Sequence, residues 1–113
     1  MRISQTTVAV VGGEIVGFSM VVSDEVEQLY VDRAQRGTDI APMLLRHAER
    51  SIATAGFDVA WLAVVAGNRR ARRFYEREGW RDDGGFNYEA MVRGNDALLV
   101  PARRYVKHLQ FPS

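Results

Sequence analysis

The sequence predicts an α/β fold, a mixed sheet with covering helices, with its elements in the order βββαβαββ. Three observations predict it. Three β-rich apolar runs come first, apolar residues then recur at helical spacing in two stretches separated by an apolar run, and two weaker β-rich runs follow. The length of 113 residues fits a single domain over residues 1–113.

The composition excludes several classes of protein. Hydrophobic residues make up 47% of the chain and charged residues 26%, as in soluble globular proteins. With no cysteine, the chain has no disulfide framework, thiol nucleophile or thiolate metal cluster. Fifteen basic against fourteen acidic side chains give a net charge of +1, which argues against a surface built mainly to wrap nucleic acid. Because the sequence has no membrane-span run and no signal-peptide core, we expect a cytoplasmic protein.

The first three strands are predicted from β-rich runs and turn residues. Thr7–Val11 and Ile15–Val22 flank Gly12 and Gly13, and both glycines can adopt the positive φ of a tight hairpin turn. A third run, Val26–Val31, follows three polar residues and extends the same antiparallel sheet.

The first helix is predicted from Ile40 to a stop at Gly56. Its apolar residues recur three and four apart: Ile40, Leu44, Ala48, Ile52 and Ala55. The opposite, solvent-facing side is predicted to hold Arg46, Glu49 and Arg50, and His47 is expected at the surface. Pro42 fits in the first turn, where a missing N–H costs nothing, and Asp39 is then expected to be the N-cap.

A central strand and a second helix follow. Val59–Val65 is almost wholly apolar, as expected for a strand covered on both faces. Asn68 opens the second helix and Gly79 ends it. Two faces are expected on this helix, one with Ala71, Phe74, Tyr75 and Glu78 and the other with Arg70, Arg73 and Arg77.

The last part of the chain predicts two weaker strands. After Trp80, which resumes in extended form, these are Phe86–Val92 and Leu99–Leu109, separated by a turn at 93–96. His108 is expected at the surface.

The junction between the third strand and the first helix, residues 31–41, is the first candidate site. Successive backbone N–H groups and the helix dipole at such a junction stabilise a pyrophosphate. An ordinary capped helix start is an equally good interpretation of this loop alone. The spacing matches neither the dinucleotide Gly-x-Gly-x-x-Gly pattern nor a P-loop.

Three segments together resemble the GNAT superfamily of acetyl-CoA-dependent N-acetyltransferases. Glu25–Val31 looks like the family's fourth strand, which pairs with the pantetheine arm. Arg36–Ala41 looks like its Arg/Gln-x-x-Gly-x-Gly/Ala pyrophosphate loop. Asn68–Trp80 resembles its Asn-x-x-Ala-x-x-Phe/Tyr-Tyr-Glu-x-x-Gly-Phe/Trp helix and is the most specific of the three. The resemblance implies a mostly antiparallel GNAT-like sheet and transfer of acetyl from acetyl-CoA to a primary amine in a ternary complex, with no metal.

The resemblance also assigns a set of residues to the binding of acetyl-CoA. They are Leu29, Tyr30, Val31, Arg36, Gly37, Thr38, Asp39, Ile40, Ala41, Asn68, Ala71, Arg72, Arg73 and Phe74. Asn68 is equally well interpreted as a helix cap, and one asparagine can do both. Arg72 or Arg73 is expected to meet a phosphate of CoA. Alternatively the arginines form a solvated face in which Arg72 pairs with Glu76, or a nucleic-acid patch.

Three residues are candidates for the chemistry. Tyr75 occupies the position of the family's general acid for the leaving thiolate, and a core tyrosine beside Phe74 is the alternative. Glu25 and Glu27 lie on the same face of a strand unless a bulge intervenes, and either could deprotonate the amine, directly or through a water. Solvated glutamates at a sheet edge are the alternative.

Two departures from the family pattern affect these expectations. Asp39 stands where the family usually has glycine, and its carboxylate would repel phosphate if it pointed inward. The family's leading strand and two helices are missing before the hairpin, so we expect an open acceptor site or a wall supplied by a partner chain. Since the sheet then leaves an edge to cover, a homodimer is expected. A catalytically weak CoA-binding or protein-interaction module is the alternative function.

Overall fold

The computed structural model describes residues 4–91 and 97–109. The strands are β1 (Ser4–Val11), β2 (Glu14–Val22), β3 (Glu25–Val31), β4 (Val59–Val65), β5 (Arg81–Met91) and β6 (Ala97–His108). The helices are α1 (Ile40–Thr54) and α2 (Arg69–Arg77), and a 3₁₀ turn lies at Arg33–Gln35. The predicted order βββαβαββ is confirmed. The elements form two compact units, residues 1–60 with 108–113 and residues 61–107. The prediction of a single domain stays a prediction.

The first unit is an antiparallel meander, β1-β2-β3, with α1 packed on it. Gly12 and Gly13 have φ of 58° and 84°, which confirms the predicted hairpin turn. Gly17 on β2 lies under Leu44 of α1, so the odd-numbered residues of this part of β2 face the helix. The core of the unit contains Val21, Val26, Leu44, Leu45, Ala48 and Ile52.

Two predictions for α1 are wrong. Ala55, expected on the apolar face, is the exposed C-cap residue that follows Thr54. Glu49 is 3% exposed, although it was expected on the solvent side with Arg46 and Arg50. The buried face includes Leu45 as well as Leu44, and Glu49 follows Leu45 by one helical turn. The buried face predicted from sequence spacing was therefore too narrow, because it left out Leu45 and Glu49. His47 is exposed, as predicted.

The second unit has the strand order β4-β6-β5, and α2 packs against β5. Its core contains Leu62, Val64, Trp80, Ala102, Tyr105 and Val106. Residues of β4 alternate between buried and half-buried, so the expectation of full cover on both faces is wrong. On the half-buried face the guanidinium carbon of Arg104 lies 4.4 Å from the ring centroid of Trp61.

The last two strands extend beyond their predicted bounds. β5 begins at Arg81 rather than Phe86, because Arg81 and Asp82 pair with Val106 and Tyr105 before a bulge shifts the register at Gly85. β6 begins at Ala97 and ends at His108, which is exposed as predicted. Val92 and the predicted turn at 93–96 lie outside the described residues.

In the described parts of the chain, neither helix combines the length and the apolar composition that are needed to cross a bilayer.

Candidate functional site

The side of β3 that faces away from β2 carries the backbone donors that the sequence analysis selected. The N–H of Asp32 donates to the carbonyl of Val16 at 2.8 Å. In an antiparallel ladder, hydrogen-bonded residue pairs alternate with pairs that are not hydrogen-bonded. Since Asp32 and Val16 form a hydrogen-bonded pair, the pair two residues along, Tyr30 with Phe18, is also hydrogen-bonded. The N–H groups of Leu29 and Val31, one residue out of phase, therefore point away from β2. These are the two donors expected to pair with an extended ligand.

A bulge divides β3 at Glu27. Gln28 lies opposite Met20 and Val26 lies opposite Val21, which leaves Glu27 as the extra residue. The bulge breaks the simple alternation of side chains, so the regular-strand argument that places Glu25 and Glu27 on one face does not apply here. Glu25 and Glu27 each interact with another group in the structure.

Tyr30 lies on the face of the β2-β3 sheet opposite α1. Its ring stacks on that of Phe18, with centroids 5.8 Å apart and an interplanar angle of 9°. The residue is 45% exposed. A hydrogen bond to the Asp32 carboxylate raises the pKa of the Tyr30 phenol. The contribution of Tyr30 to the candidate site is thus its backbone, whereas its side chain belongs to an aromatic pair.

The loop from Asp32 to Asp39 is shaped by a short 3₁₀ turn. The amides of Gln35, Arg36 and Thr38 donate to the carbonyls of Asp32, Arg33 and Gln35, respectively. Thr38 also donates its hydroxyl to the Gln35 carbonyl at 2.5 Å, and its Oγ1 lies 3.4 Å from the amide nitrogen of Ile40. Gly37 has a φ of 81°, a conformation that only glycine adopts readily.

Three backbone donors remain at the start of α1. Within the described residues, the amides of Gly37, Asp39 and Ala41 donate to no other group. Gly37 and Asp39 are exposed and Ala41 is half-buried, so the row opens to solvent at its first two residues. An exposed row of amides at the start of a 15-residue helix fits an anionic group such as a pyrophosphate.

Asp39 occupies the N-cap position but does not cap with its side chain. Its backbone has φ −81° and ψ 1°, near the helical region, and its carboxylate accepts no capping hydrogen bond. Asp39 thus stands at the predicted N-cap position, but its carboxylate does not make the capping hydrogen bond that an N-cap residue is expected to make. The side chain is exposed beside the amide row.

Asn68 is a helix cap. Its Oδ1 accepts a hydrogen bond of 3.1 Å from the amide of Ala71, in the first turn of α2. Capping uses the side-chain oxygen, and its NH₂ group remains a donor for a ligand. The two interpretations of Asn68 are therefore compatible.

Tyr75 packs its ring among aromatic neighbours. Ring centroids lie 5.2 Å from Phe74, 6.3 Å from Trp80 and 6.3 Å from Tyr105. This burial raises the pKa of Tyr75 to about 12. The hydroxyl has no hydrogen-bond partner among the described residues, where no polar side-chain atom is both fully buried and unpaired. The hydroxyl therefore reaches solvent, protonated, from an apolar surround.

The two faces predicted for α2 are confirmed. Ala71, Phe74, Tyr75 and Glu78 are half-buried, whereas Arg70, Arg73 and Arg77 are exposed. Arg72 is half-buried and differs from its neighbours. Its guanidinium donates to the Tyr105 hydroxyl at 3.2 Å, the Ala66 carbonyl at 2.9 Å and the Asp82 carboxylate at 3.3 Å. Arg72 thus belongs to a protein network, and Arg73 remains exposed to solvent.

The sequence analysis missed the rest of this network. The Tyr105 hydroxyl donates to Oε2 of Glu76 at 2.6 Å, and Nε of Arg103 donates to both carboxylate oxygens of Asp82, at 3.1 and 3.0 Å. Lys107 donates to the Glu78 carbonyl at 2.8 Å. The available signal was the alternation of Arg103, Tyr105 and Lys107, which places three polar groups on one face of β6.

Comparison with known protein sequences finds acetyltransferases. Residues 3–80 match the model of the acetyltransferase (GNAT) family. An uncharacterized N-acetyltransferase of Mycobacterium tuberculosis (strain ATCC 25618 / H37Rv) is 32% identical over 94 residues, which are 78% of this chain and 60% of the relative. An uncharacterized N-acetyltransferase of Mycobacterium bovis matches equally well. The chain thus spans about 60% of the length of these curated relatives.

Solved structures share the fold. The crystal structure of nourseothricin acetyltransferase superposes with a TM-score of 0.81 at 23% identity, over 95% of this chain and 66% of that one. An aminoglycoside 6'-N-acetyltransferase complexed with coenzyme A gives a TM-score of 0.74 at 19% identity, over 97% and 75% of the two chains. These matches confirm the GNAT-like, mostly antiparallel α/β fold. The family match over more than half of the sequence shows that the chain belongs to the GNAT family of acetyltransferases.

Proposed function

We propose that this protein transfers acetyl from acetyl-CoA to a primary amine by direct attack in a ternary complex. The observation that carries the proposal is the exposed row of amides at Gly37, Asp39 and Ala41, which suits a pyrophosphate. The family membership and the CoA complex of a structural neighbour support the same cofactor.

The cofactor-binding residues form two groups. In the first unit, Leu29 and Val31 offer N–H groups to the pantetheine arm, and residues 36–41 offer amides to the pyrophosphate. In the second unit, the Asn68 amide group is a donor for the cofactor while its oxygen holds the helix. Arg73, exposed on α2, is the arginine for a phosphate of CoA.

Acetyl-CoA supplies an acyl group activated as a thioester. The amine nitrogen bonds to the carbonyl carbon and the carbon–sulfur bond breaks. Glu25 or Glu27 takes the proton that the amine loses, directly or through a water. Tyr75 gives its phenolic proton to the departing sulfur. Because the pKa of this hydroxyl is about 12, the hydroxyl is protonated throughout the neutral pH range. The N–H groups of Leu29 and Val31 donate to the carbonyl oxygen as it gains charge.

Two measurements test this proposal. Calorimetry with acetyl-CoA should show saturable binding, and release of free thiol should accelerate when a panel of primary amines is added. Absence of heat at millimolar acetyl-CoA, for protein that unfolds cooperatively, would reject the proposal.

One observation favours a second function, a CoA-binding or protein-interaction module with weak catalysis. The Asp39 carboxylate is exposed beside the amide row with no capping bond to hold it toward the backbone, and a phosphate there meets a like charge. CoA binding without thiol release above background across the amine panel would favour this module over the enzyme.

A homodimer is part of the proposal and rests on β1. This strand lies at one end of the sheet order, carries no charged residue over Ser4–Val11, and exposes Val8 and Val10. Light scattering at micromolar concentration should therefore give twice the 12.7 kDa mass of the chain. A single species of monomer mass would refute the dimer and leave the proposed chemistry untouched.

A further inference from the structure

We infer that Tyr105 and Arg72 are positioning residues, which hold α2 so that Tyr75 and Asn68 keep the orientation the reaction requires. The inference rests on the proposed function for its kinetic part. It gives Arg72 a role other than the contact with a CoA phosphate predicted from the sequence.

Tyr105 is the centre of the arrangement. It is 0% exposed, and its hydroxyl both donates to Glu76 and accepts from Arg72. A fully buried phenol with both functions satisfied has little freedom to reorient. Its two partners lie four residues apart on α2, one helical turn, so a single β6 hydroxyl joins two adjacent turns of the helix.

Glu76 connects this hydroxyl to the candidate acid. Glu76 directly follows Tyr75, and the rings of Tyr75 and Tyr105 lie 6.3 Å apart between centroids. Since the Tyr75 hydroxyl has no partner among the described residues, nothing bonded to its oxygen fixes its direction. The orientation of Tyr75 therefore depends on the backbone of α2 and on the aromatic packing around its ring.

Arg72 fixes the start of the helix. One terminal nitrogen of its guanidinium donates to the carbonyl of Ala66, in the turn that leads to Asn68, and the other donates to Asp82 on β5. Asp82 is itself held by Arg103 on β6 and by the amide of Gly84. The planar guanidinium reaches three acceptors in three directions, which a lysine ammonium on its flexible stem cannot reproduce.

The end of the helix is held from the same strand. Lys107 donates to the carbonyl of Glu78, the C-cap residue of α2. Tyr105 and Lys107 thus contact Arg72, Glu76 and Glu78 from one face of β6, so β6 supports α2 from Arg72 to the C-cap. Arg103, on the same face, acts on the helix through Asp82 of β5.

The first experiment is a double-mutant cycle between Tyr105→Phe and Tyr75→Phe. Tyr105→Phe alone should lower kcat roughly tenfold or more, with the KM for acetyl-CoA changed less than about twofold. In the Tyr75→Phe background the same substitution should cost less than about twofold in kcat, because it acts through Tyr75. Equal losses in both backgrounds, or no loss in the single variant, would overturn the inference.

Matched variants separate positioning from general destabilisation. Tyr88→Phe removes the same atom from a β5 tyrosine and should leave kcat unchanged. Glu76→Gln keeps an acceptor for Tyr105 and should retain most of the kcat that Glu76→Ala loses.

Arg72→Lys should lower kcat and also raise the KM for acetyl-CoA, because the turn that carries Asn68 is then held less firmly. Arg70→Gln, on the exposed face of α2, should change neither quantity. Losses that track only the melting temperature across this set would contradict a positioning role.

A second readout needs no activity. Amide hydrogen exchange over residues 69–78 should become about tenfold faster in Tyr105→Phe than in the wild type, while exchange in Val16–Val22 of β2 stays the same. Unchanged exchange in α2 would refute the positioning role even if the wild type acetylates amines. Faster exchange in Tyr105→Phe, combined with a wild type that shows no turnover, would instead refute the proposed function and retain the structural role of Tyr105.

Discussion

Gly17 lies so close to Tyr30 that a Cβ built on Gly17 would stand 2.7 Å from the Tyr30 carbonyl oxygen. The next nearest atoms are Cδ1 of Leu44 at 3.2 Å and Cα of Val31 at 3.3 Å. The close approach joins β2, β3 and α1 at one point, and it lies on the strand that carries the candidate donors of Leu29 and Val31.

Gly17→Ala should therefore destabilise the protein. The nearest atom belongs to backbone, so β2 and β3 must separate, at a cost of about 1–3 kcal/mol in the free energy of unfolding. Urea denaturation followed by circular dichroism measures this change. Gly67→Ala is the matched control, because a Cβ there meets nothing within 4 Å and its cost should stay within about 0.5 kcal/mol. Similar costs for both variants would contradict the close approach.

Tyr75→Phe should lower kcat by about 10²-fold, since it removes the hydroxyl that we propose as the proton donor for the leaving sulfur. Its stability at neutral pH should stay near that of the wild type, because the lost hydroxyl has no protein partner among the described residues. Thiol release in single turnover measures the chemical step. An unchanged rate would return Tyr75 to the role of a core tyrosine.

The pKa of Tyr75 also predicts an alkaline loss of stability. Its value of about 12 in the folded chain exceeds the ordinary value of 10.0, so the unfolded chain releases this proton first as pH rises. The stabilising contribution is complete below pH 10 and disappears as pH rises to about 12. Wild type should lose more stability than Tyr75→Phe over this interval in denaturation at stepped pH. Parallel curves for the two proteins would contradict the burial of this ring.

Asp39→Gly and Asp39→Asn should both tighten acetyl-CoA binding. Removing one like charge beside a diphosphate changes the binding free energy by about 1 kcal/mol, or roughly fivefold in Kd. The gain should shrink at about 1 M salt, where the Debye length is roughly 3 Å. Asp58→Asn, exposed near the end of α1, is the charge-matched control and should leave the Kd unchanged in titration calorimetry. A gain of the same size in the control would assign the effect to net charge alone.

Substitutions of Asn68 should separate its two roles. Asn68→Ala removes the cap of α2 and should cost about 1 kcal/mol of stability together with acetyl-CoA affinity. Asn68→Ser keeps a capping oxygen without the amide donor, so it should retain stability and lose affinity. Thermal unfolding and calorimetry on the same samples make the comparison. Full affinity in Asn68→Ser would leave Asn68 with the capping role alone.

Local patterns predicted the fold well. Paired glycines predicted the β1-β2 turn, and helical spacing with flanking Asn68 and Gly79 predicted α2 with its two faces. These features depend on neighbours within a few residues, which the sequence displays directly. The start of β5 depends on Tyr105, a residue more than twenty positions away, so the polar run at Arg81 and Asp82 gave no local sign of a strand.

The candidate site was less predictable where tertiary packing decides which side chains are bonded and how a strand pairs. A motif selected both Arg72 and Arg73, and only the positions of Tyr105, Ala66 and Asp82 distinguish the bonded arginine from the exposed one. The bulge at Glu27 likewise follows from the pairing of β3 with β2 and not from the residues of β3 alone. Local propensity cannot encode either result, because each depends on a partner strand.

The hydrogen bond between Glu76 and Tyr105 spans 29 residues of sequence, which has a consequence for the protein as it is synthesised. Translation completes α2 well before Asp82, Arg103 and Tyr105 have all left the ribosome, and a nine-residue helix is marginal in water by itself. The nascent chain therefore presents an arginine-rich segment without its supporting strand until β6 emerges. The proposed acetylating activity should therefore arise late and abruptly during translation, when β6 takes its place beside the helix.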